Sequence, residues 1–264
     1  VVLLWTVVPQ PADPPPPTGR LPDTAKPTAY RLQLTIDPAL KEFSGHTEID
    51  AVLARPTRSL FVHGNGLQVS KAQIKSGQTS IDARYKEVHE TAVARLDLTS
   101  EVPAGKITLI FDYKAGFRTG AEGLFHAEVA GDWYAWTQME PIDARRVFPS
   151  FDEPGFKTPF TVTVTAPKSA KVFANAPEVG ASDSGSMTVH RFAPTQPLPT
   201  YLIALGVGPF DVVESTVPAN EVRKEPLRFR VIATKGQTPR MQLAATESPK
   251  LVTLLETYLG IPYP

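Results

Sequence analysis

The chain of 264 residues contains no cysteine. Disulfides, cysteine-ligated zinc and a cysteine nucleophile are therefore excluded for this chain. Neither sign of charge is in excess, because 27 lysines and arginines balance 27 aspartates and glutamates, and no basic run is interleaved with aromatic residues. This balance gives no electrostatic reason to expect a nucleic acid or an anionic membrane surface as a partner.

Long hydrophobic runs are also missing, and the apolar segment at the start, Val1–Val8, is far too short to span a bilayer. It is either the remnant of a secretory signal or vector-derived sequence. The proline-dense segment Pro9–Pro17 favours a stiff, extended spacer. We therefore expect residues 1–20 to be a disordered leader and linker. We predict a periplasmic or secreted protein, with a cytoplasmic one as the alternative.

From Ala29 onward the pattern predicts β-strands. Apolar and polar residues alternate from Tyr30 to Ile36, and Phe160–Ala166 is rich in β-branched residues. The 27 prolines and the close spacing of the strands leave little room for crossover helices, which favours antiparallel sheets. The predicted strands are Tyr30–Ile36, Gly45–Leu53, Ser59–Val62, Leu67–Ile74, Ala92–Leu98, Lys106–Tyr113, Trp133–Met139, Phe160–Ala166, Lys171–Ala174, Met187–Phe192, Tyr201–Val207, Phe210–Val213 and Leu227–Ile232.

One convincing helical pattern lies near the C-terminal end, within Met241–Leu259. Its apolar residues recur at helical spacing, which places Leu251, Leu254, Leu255 and Tyr258 on one face. We expect Ser248 to be the N-cap, Pro249 to lie in the first turn and Gly260 to end the helix. A helix that follows a long β region predicts a domain boundary near Lys235.

The segment Trp136–Phe160 reads WTQMEPIDARRVFPSFDEPGFKTPF. It resembles a signature of the aminopeptidase N-like zinc aminopeptidases, in which T-Q-x-E or T-Q-x-Q leads into D-A-R-x-x-F-P-x-x-D-E-P-x-x-K. The matching positions are Thr137, Gln138, Glu140, Asp143, Ala144, Arg145, Phe148, Pro149, Asp152, Glu153, Pro154 and Lys157. Shorter similarities lie at Lys26–Tyr30, Gly45–His46, Gly123–Phe125, Pro199–Leu202, Gly206–Phe210 and Tyr258–Pro264, so the resemblance extends from Leu21 to Pro264.

This resemblance implies a fold and a function. The fold would be a mainly β, saddle-like antiparallel β-sandwich domain of several sheets at residues 21–235, followed by the first helix of a truncated, thermolysin-like catalytic domain at residues 236–264. The function would be that of the N-terminal substrate-anchoring and structural domain of a zinc-dependent aminopeptidase, which removes N-terminal residues from peptides.

The resemblance also implies two substrate-binding residues. Glu140 would hold the free α-amino group of the peptide N-terminus, and Gln138 would line the pocket for the first side chain. The alternatives are an ordinary surface carboxylate for Glu140 and a plain strand residue for Gln138. The charged residues around them are more simply explained by an ion-pair network that fixes the loop: Asp143, Arg145, Asp152, Glu153 and Lys157. We expect the aromatic strand Trp133–Trp136 to pack rather than to bind a ligand.

The zinc chemistry of the family has no counterpart in this chain. No H-E-x-x-H is present, and no two of the five histidines stand four residues apart. We interpret His46, His63, His89, His126 and His190 as surface or turn histidines. The G-x-M-E-N loop of the family is also absent. We therefore predict no catalytic residue and no metal ligand here: zinc would belong to the complete enzyme, and the isolated chain would be inactive.

The expected partners are a peptide N-terminus and the missing catalytic domain of the same polypeptide, with no nucleic acid and no membrane span. Two other functions stay open: a freestanding, non-enzymatic β-sandwich binding module and a purely structural fragment. The helix distinguishes them, because an exposed face at Leu254, Leu255 and Tyr258 would indicate that further sequence packs on it.

Overall fold

A computed structural model of the chain describes residues 15–263. The apolar segment Val1–Val8 and most of the proline spacer lie outside the described residues. The strands within them are β1 Ala25–Thr35, β2 Glu42–Leu53, β3 Thr57–His63, β4 Gln68–Ser76, β5 Thr79–His89, β6 Val93–Val102, β7 Gly105–Gly116, β8 Gly123–Val129, β9 Asp132–Gln138, β10 Phe160–Pro167, β11 Lys171–Ala174, β12 Glu178–Ser184, β13 Met187–Phe192, β14 Leu205–Gly208, β15 Asp211–Val217 and β16 Leu227–Ala233. Two 3₁₀ helices and one α-helix complete them: Ala144–Arg146 (the Arg145 turn), Thr200–Leu202 (the Thr200 turn) and α1 Thr238–Leu259.

Ten strands form the largest sheet, in the order β12-β13-β10-β1-β2-β7-β4-β5-β6-β3. Strand β1 pairs with β2 antiparallel and with β10 parallel, so that Tyr30 lies beside Phe160 and their rings stack with centroids 4.6 Å apart. The alternation predicted for β1 is confirmed, because Tyr30, Leu32 and Leu34 are buried. The mainly β fold of antiparallel sheets is therefore confirmed, with this one parallel pair as an addition.

A second sheet of four strands, in the order β11-β14-β9-β8, shares its core with the first. Leu124 of β8, Ala135 of β9, Val172 of β11 and Val207 of β14 belong to the same buried cluster as the inner residues of the ten-stranded sheet. This shared core fixes β9, which leads directly into the segment with Gln138 and Glu140. The description of the whole as a saddle-like sandwich stays a prediction.

Strands β15 and β16 form a separate two-stranded sheet, against which α1 packs. The helix begins at Thr238, so the prediction of Ser248 as N-cap is wrong and Pro249 lies inside the helix. The start is set by a tertiary contact: an Asp211 carboxylate oxygen accepts from the Gly236 and Thr238 N–H groups at 2.8 and 3.2 Å. The end at Gly260 is confirmed, and this glycine adopts the left-handed conformation at φ 68°.

The two faces of α1 differ. Met241, Ala245 and Pro249 are buried, together with Glu256. The predicted apolar face is exposed in this chain, with exposed fractions of 63% for Leu254 and 81% for Tyr258. No helix in the described part of the chain is long and apolar enough to cross a membrane.

Some strands were not predicted, and one was placed wrongly. Strand β12 is largely polar and exposed along its whole length, so it has no apolar alternation to detect. Strand β5 has a short alternation at Ile81, Ala83 and Tyr85, which was not predicted as a strand. Strand β8 was seen only as a short similarity. The predicted strand Tyr201–Val207 is instead the Thr200 turn followed by β14.

Candidate functional site

The two predicted binding residues lie where strand β9 ends. Gln138 is the last residue of β9 and pairs with Gly123 of β8, and Glu140 follows in a turn. Both are exposed, whereas Met139 between them is buried at 2% exposure. The peptide bond from Glu140 to Pro141 is cis. No hydrogen bond or ion pair within residues 15–263 engages the side chain of Gln138 or Glu140, so both are available to a ligand.

The turn after Glu140 is closed by its own backbone. The Asp143 N–H donates to the Met139 carbonyl at 2.8 Å, and the Arg146 N–H donates to the Asp143 carbonyl at 3.1 Å. The Asp143 carboxylate also accepts from Arg146 Nε at 2.7 Å. Glu140 therefore protrudes from a short segment whose two ends are joined.

A buried ion pair supports this turn from below. Arg145 Nε donates to Asp152 Oδ2 at 2.8 Å, and Arg145 Nη2 donates to the Asp152 carbonyl at 3.0 Å. Arg145 Nη1 reaches the Thr91 carbonyl at 2.8 Å, and the Thr200 hydroxyl donates to Asp152 Oδ1 at 2.5 Å. The exposed fractions of Arg145 and Asp152 are only 7% and 3%. A buried pair of this kind needs its remaining polar atoms satisfied, and the neighbouring segments satisfy them.

His63 belongs to the same cluster, so its interpretation as a surface or turn histidine is wrong. It is 3% exposed, and its Nδ1 accepts the Asp152 N–H at 3.1 Å. Burial, with a smaller effect of the Arg145 charge, lowers the pKa of His63 to about 3. The ring is therefore neutral at physiological pH, which leaves Nδ1 free to accept. No local pattern in the sequence could have indicated this, because Asp152 is distant in the chain.

The predicted network of charged residues is only partly formed. Asp143, Arg145 and Asp152 form ion pairs, and Arg146, which lies outside the predicted network, is the partner of Asp143. Glu153 instead accepts the Leu21 N–H at 2.6 Å. Lys157 is exposed and has no ion pair with any residue of the described range.

The aromatic residues of β9 pack against one another and against neighbours. Tyr134 and Trp136 stack with centroids 5.4 Å apart, and both contact Phe210. Trp136 also stacks on Phe125. Packing therefore accounts for these rings, as we expected, and they hold β9 against its neighbours.

The residues present do not fit a zinc ion. Within residues 15–263 no group of three histidine, aspartate or glutamate side chains could hold a metal. The histidines instead have separate partners: Asp112 Oδ1 lies 2.5 Å from His46 Nδ1, and Glu178 Oε1 lies 2.8 Å from His190 Nδ1. No chemical step through a metal can be assigned to these residues. The site presents an exposed carboxylate and an exposed amide next to a buried, hydrogen-bonded ion pair.

Known proteins are similar to this chain over most of its length. The peptidase M1 N-terminal domain matches residues 26–202. Aminopeptidase M1-A from Oryza sativa subsp. japonica is 30% identical over 255 residues, which cover 93% of this chain and 28% of that protein. Endoplasmic reticulum aminopeptidase 1 from Mus musculus is 27% identical, with 93% and 27% covered. Aminopeptidase N from Acetobacter pasteurianus is 28% identical, with 93% and 68% covered.

The chain thus spans less than a third of the length of the plant and mouse proteins, and its similarity includes the segment with Gln138 and Glu140. The matched family covers more than half of the chain, and the observed fold of antiparallel sheets agrees with it. The chain therefore belongs to the peptidase M1 N-terminal domain family.

Proposed function

We propose that this chain is the substrate-anchoring and structural domain of a zinc-dependent aminopeptidase that removes N-terminal residues from peptides. Glu140 accepts hydrogen bonds from the free α-amino group of the substrate, and Gln138 lines the pocket for the first side chain. The observation that supports this most directly is the state of Glu140. Its carboxylate is exposed and has no partner among the described residues, although the charged residues that follow it most closely are in ion pairs: Asp143 with Arg146, and Arg145 with Asp152.

The chemistry of the substrate explains why a carboxylate suits this position. An ammonium group has donors and no acceptor, so it needs acceptors around it, and a carboxylate forms short, charge-assisted hydrogen bonds with it. Only a chain terminus provides an α-ammonium group. A carboxylate at the end of a closed cleft therefore makes the enzyme select the first residue of a peptide.

The zinc ion and the groups that activate water belong, in this proposal, to a further part of the same polypeptide, and the isolated chain is inactive. Two facts support this. The chain covers only 28% of the rice aminopeptidase. In addition, Leu251, Leu254, Leu255 and Tyr258 form an exposed apolar face on α1, and a face of this kind marks a surface on which other protein packs.

The test starts with the coding sequence beyond the codon for Pro264, where we expect G-x-M-E-N followed by H-E-x-x-H. In the complete enzyme, Glu140→Ala should lower kcat/KM for a peptide with a free N-terminus by at least about tenfold, because the substrate loses a charge-assisted contact. Glu140→Gln keeps a hydrogen-bond acceptor without the charge, so its kcat/KM should lie between those of the wild type and Glu140→Ala.

The matched control is Glu128→Ala, which removes an exposed carboxylate from the neighbouring strand β8. Its kinetics should equal those of the wild type. Unchanged kinetics for Glu140→Ala would refute the role of this residue. If the coding sequence ends at Pro264, the catalytic interpretation fails and a freestanding binding module becomes the better hypothesis.

A further inference from the structure

The segment with Glu140 is held at both ends by one closed ring of hydrogen bonds. On its N-terminal side, the Thr137 hydroxyl donates to the Ile203 carbonyl at 3.3 Å and accepts the Leu205 N–H at 2.8 Å. These contacts lie just beyond the last ladder pair of β9 with β14, Trp136 with Gly206. The Thr137 hydroxyl therefore extends the attachment of β9 up to the residue before Gln138.

The ring continues through the Thr200 turn. The Ile203 N–H donates to the Thr200 carbonyl at 3.1 Å, and the Thr200 hydroxyl donates to Asp152 Oδ1 at 2.5 Å. Asp152 Oδ2 then accepts from Arg145, through Nε at 2.8 Å and the backbone N–H at 3.3 Å. The Thr200 turn thus connects the strand before Glu140 with the 3₁₀ turn after it.

The ring closes where the Asp143 N–H donates to the Met139 carbonyl at 2.8 Å. Its parts on the Thr200 and Asp152 side are deeply buried: the exposed fractions are 1% for Thr200, 3% for Asp152 and 2% for Ile203. The residues it encloses include Glu140, which is exposed. The geometry is that of a hydrogen-bonded ring that presents the exposed Glu140 carboxylate to solvent.

We propose that Thr137 is a positioning residue for Glu140: its hydroxyl fixes the start of the Gln138–Asp143 segment to the same buried ring that fixes its end. This inference rests on the proposed function, and it adds a residue whose side chain touches no substrate. A charged anchor contributes to catalysis only when its atoms are held where the substrate ammonium lies, because small displacements lower the rate of the reaction.

Thr137→Val tests the inference, because valine has nearly the same shape and lacks the hydroxyl. The change leaves the buried Ile203 carbonyl and Leu205 N–H without their partner. In the 264-residue chain, hydrogen exchange of the Asp143 amide should accelerate by at least about tenfold, because local opening of the segment becomes easier. Thr137→Ser keeps the hydroxyl and should restore slow exchange.

Thr158→Val is the matched control. Thr158 is also buried, at 3% exposure, but its hydroxyl has no hydrogen-bond partner within the described residues. The same chemical change there should leave the exchange of the Asp143 amide as it is in the wild type. If Thr137→Val does not fold, the smaller Thr137→Ala serves for the same comparison.

Kinetics of the complete enzyme separate positioning from a general loss of stability. Thr137→Val should lower kcat/KM for a peptide with a free N-terminus. The double variant Thr137→Val/Glu140→Ala should lose no more than Glu140→Ala alone, because a residue that acts through Glu140 has no effect once Glu140 is gone. Additive losses of kcat/KM in the double variant, or unchanged exchange of the Asp143 amide in Thr137→Val, would overturn the role of Thr137 and leave that of Glu140 intact. If Glu140→Ala itself has no effect, both proposals fall.

Discussion

Two buried arginine–carboxylate pairs in this protein have the same Nε–oxygen distance and different surroundings. Arg145 Nε lies 2.8 Å from Asp152 Oδ2, and Arg223 Nε lies 2.8 Å from Glu256 Oε1. In each pair the carboxylate is almost inaccessible, with 1% of the side chain of Asp152 and 3% of that of Glu256 exposed. The difference lies in what each pair connects.

The Arg145–Asp152 pair joins segments that are far apart in the chain and surround the main core. Its partners come from the end of β3, from the turn before β6 and from the Thr200 turn. The Arg223–Glu256 pair joins only the loop before β16 and the end of α1, where Asn220 Nδ2 and the Tyr263 N–H also donate to Glu256. The residues of β15, β16 and α1 in the described range lie outside the main buried cluster. Disruption of the Arg145–Asp152 pair should therefore destabilise the whole domain. Disruption of the Arg223–Glu256 pair should destabilise mainly β15, β16 and α1.

The largest effect should come from Asp152→Ala. The change leaves the Arg145 guanidinium buried without its counter-charge, and removing one partner of a buried pair typically costs about 3–5 kcal/mol of unfolding free energy. Urea unfolding of the chain, followed by tryptophan fluorescence, measures this loss.

The control for Asp152→Ala is Asp143→Ala in the same segment. Its pair with Arg146 is partly exposed, with 27% and 18% of the two side chains accessible. A pair of this kind contributes about 0–1 kcal/mol, because water already solvates both charges. Equal losses for the two variants would contradict the distinction between a buried and a surface pair.

The two pairs also differ in how far the sequence predicted them. Arg145 and Asp152 lie seven residues apart in a dense run of opposite charges, so an ion pair there could be expected. Arg223 and Glu256 are separated by β16 and most of α1, and no pattern in the sequence connects them. His63 and Thr200 were missed as partners of Asp152 for the same reason.

Local sequence patterns predicted strands correctly where buried residues recur at regular spacing along a single strand. The alternation of β1 and the β-branched run of β10 were sufficient to place those strands. They failed where a tertiary contact determines where an element begins. The start of α1 is an example, because the Thr238 hydroxyl donates to the Asp211 carboxylate of β15. Glu140 and Gln138 were predicted through the resemblance alone, since nothing in their immediate sequence distinguishes them from other exposed residues.

A smaller effect should appear on acidification, through His63. Burial holds the pKa of His63 at about 3 in the folded chain, below its usual value of 6.5. Between these two pH values His63 is therefore protonated in the unfolded chain and neutral in the folded chain. The free energy of unfolding consequently decreases as the pH falls through that range. Between pH 7 and pH 5 the contribution of His63 should decrease by about 2 kcal/mol.

Urea unfolding at both pH values, compared with His63→Gln, isolates this contribution. Glutamine can still accept the Asp152 N–H through its amide oxygen but does not titrate, so the variant should lose less stability over the same range. Parallel losses in wild type and variant would mean that other groups account for the acid sensitivity. The result would then give no support to a link between the Asp152 cluster and a neutral His63.

The smallest effect on global stability should come from Glu256→Gln. The Tyr263 N–H and the Arg223 guanidinium lower the pKa of Glu256, so the wild-type contribution is present above the usual carboxyl pKa and is lost as the pH falls through the lowered value. Glutamine keeps the shape of the side chain and removes the charge. Because this pair lies outside the main core, we expect faster hydrogen exchange in α1 and a shift of the urea midpoint well below that of Asp152→Ala.

Glu247→Gln on the same helix is the control, because its pair with Lys250 is exposed. It should change neither the exchange of α1 nor the midpoint. A shift of the urea midpoint for Glu256→Gln as large as that for Asp152→Ala would mean that α1 and the two-stranded sheet of β15 and β16 unfold together with the two larger sheets. The contrast between the two buried pairs would then lie only in their position, because both would stabilise a single cooperative unit.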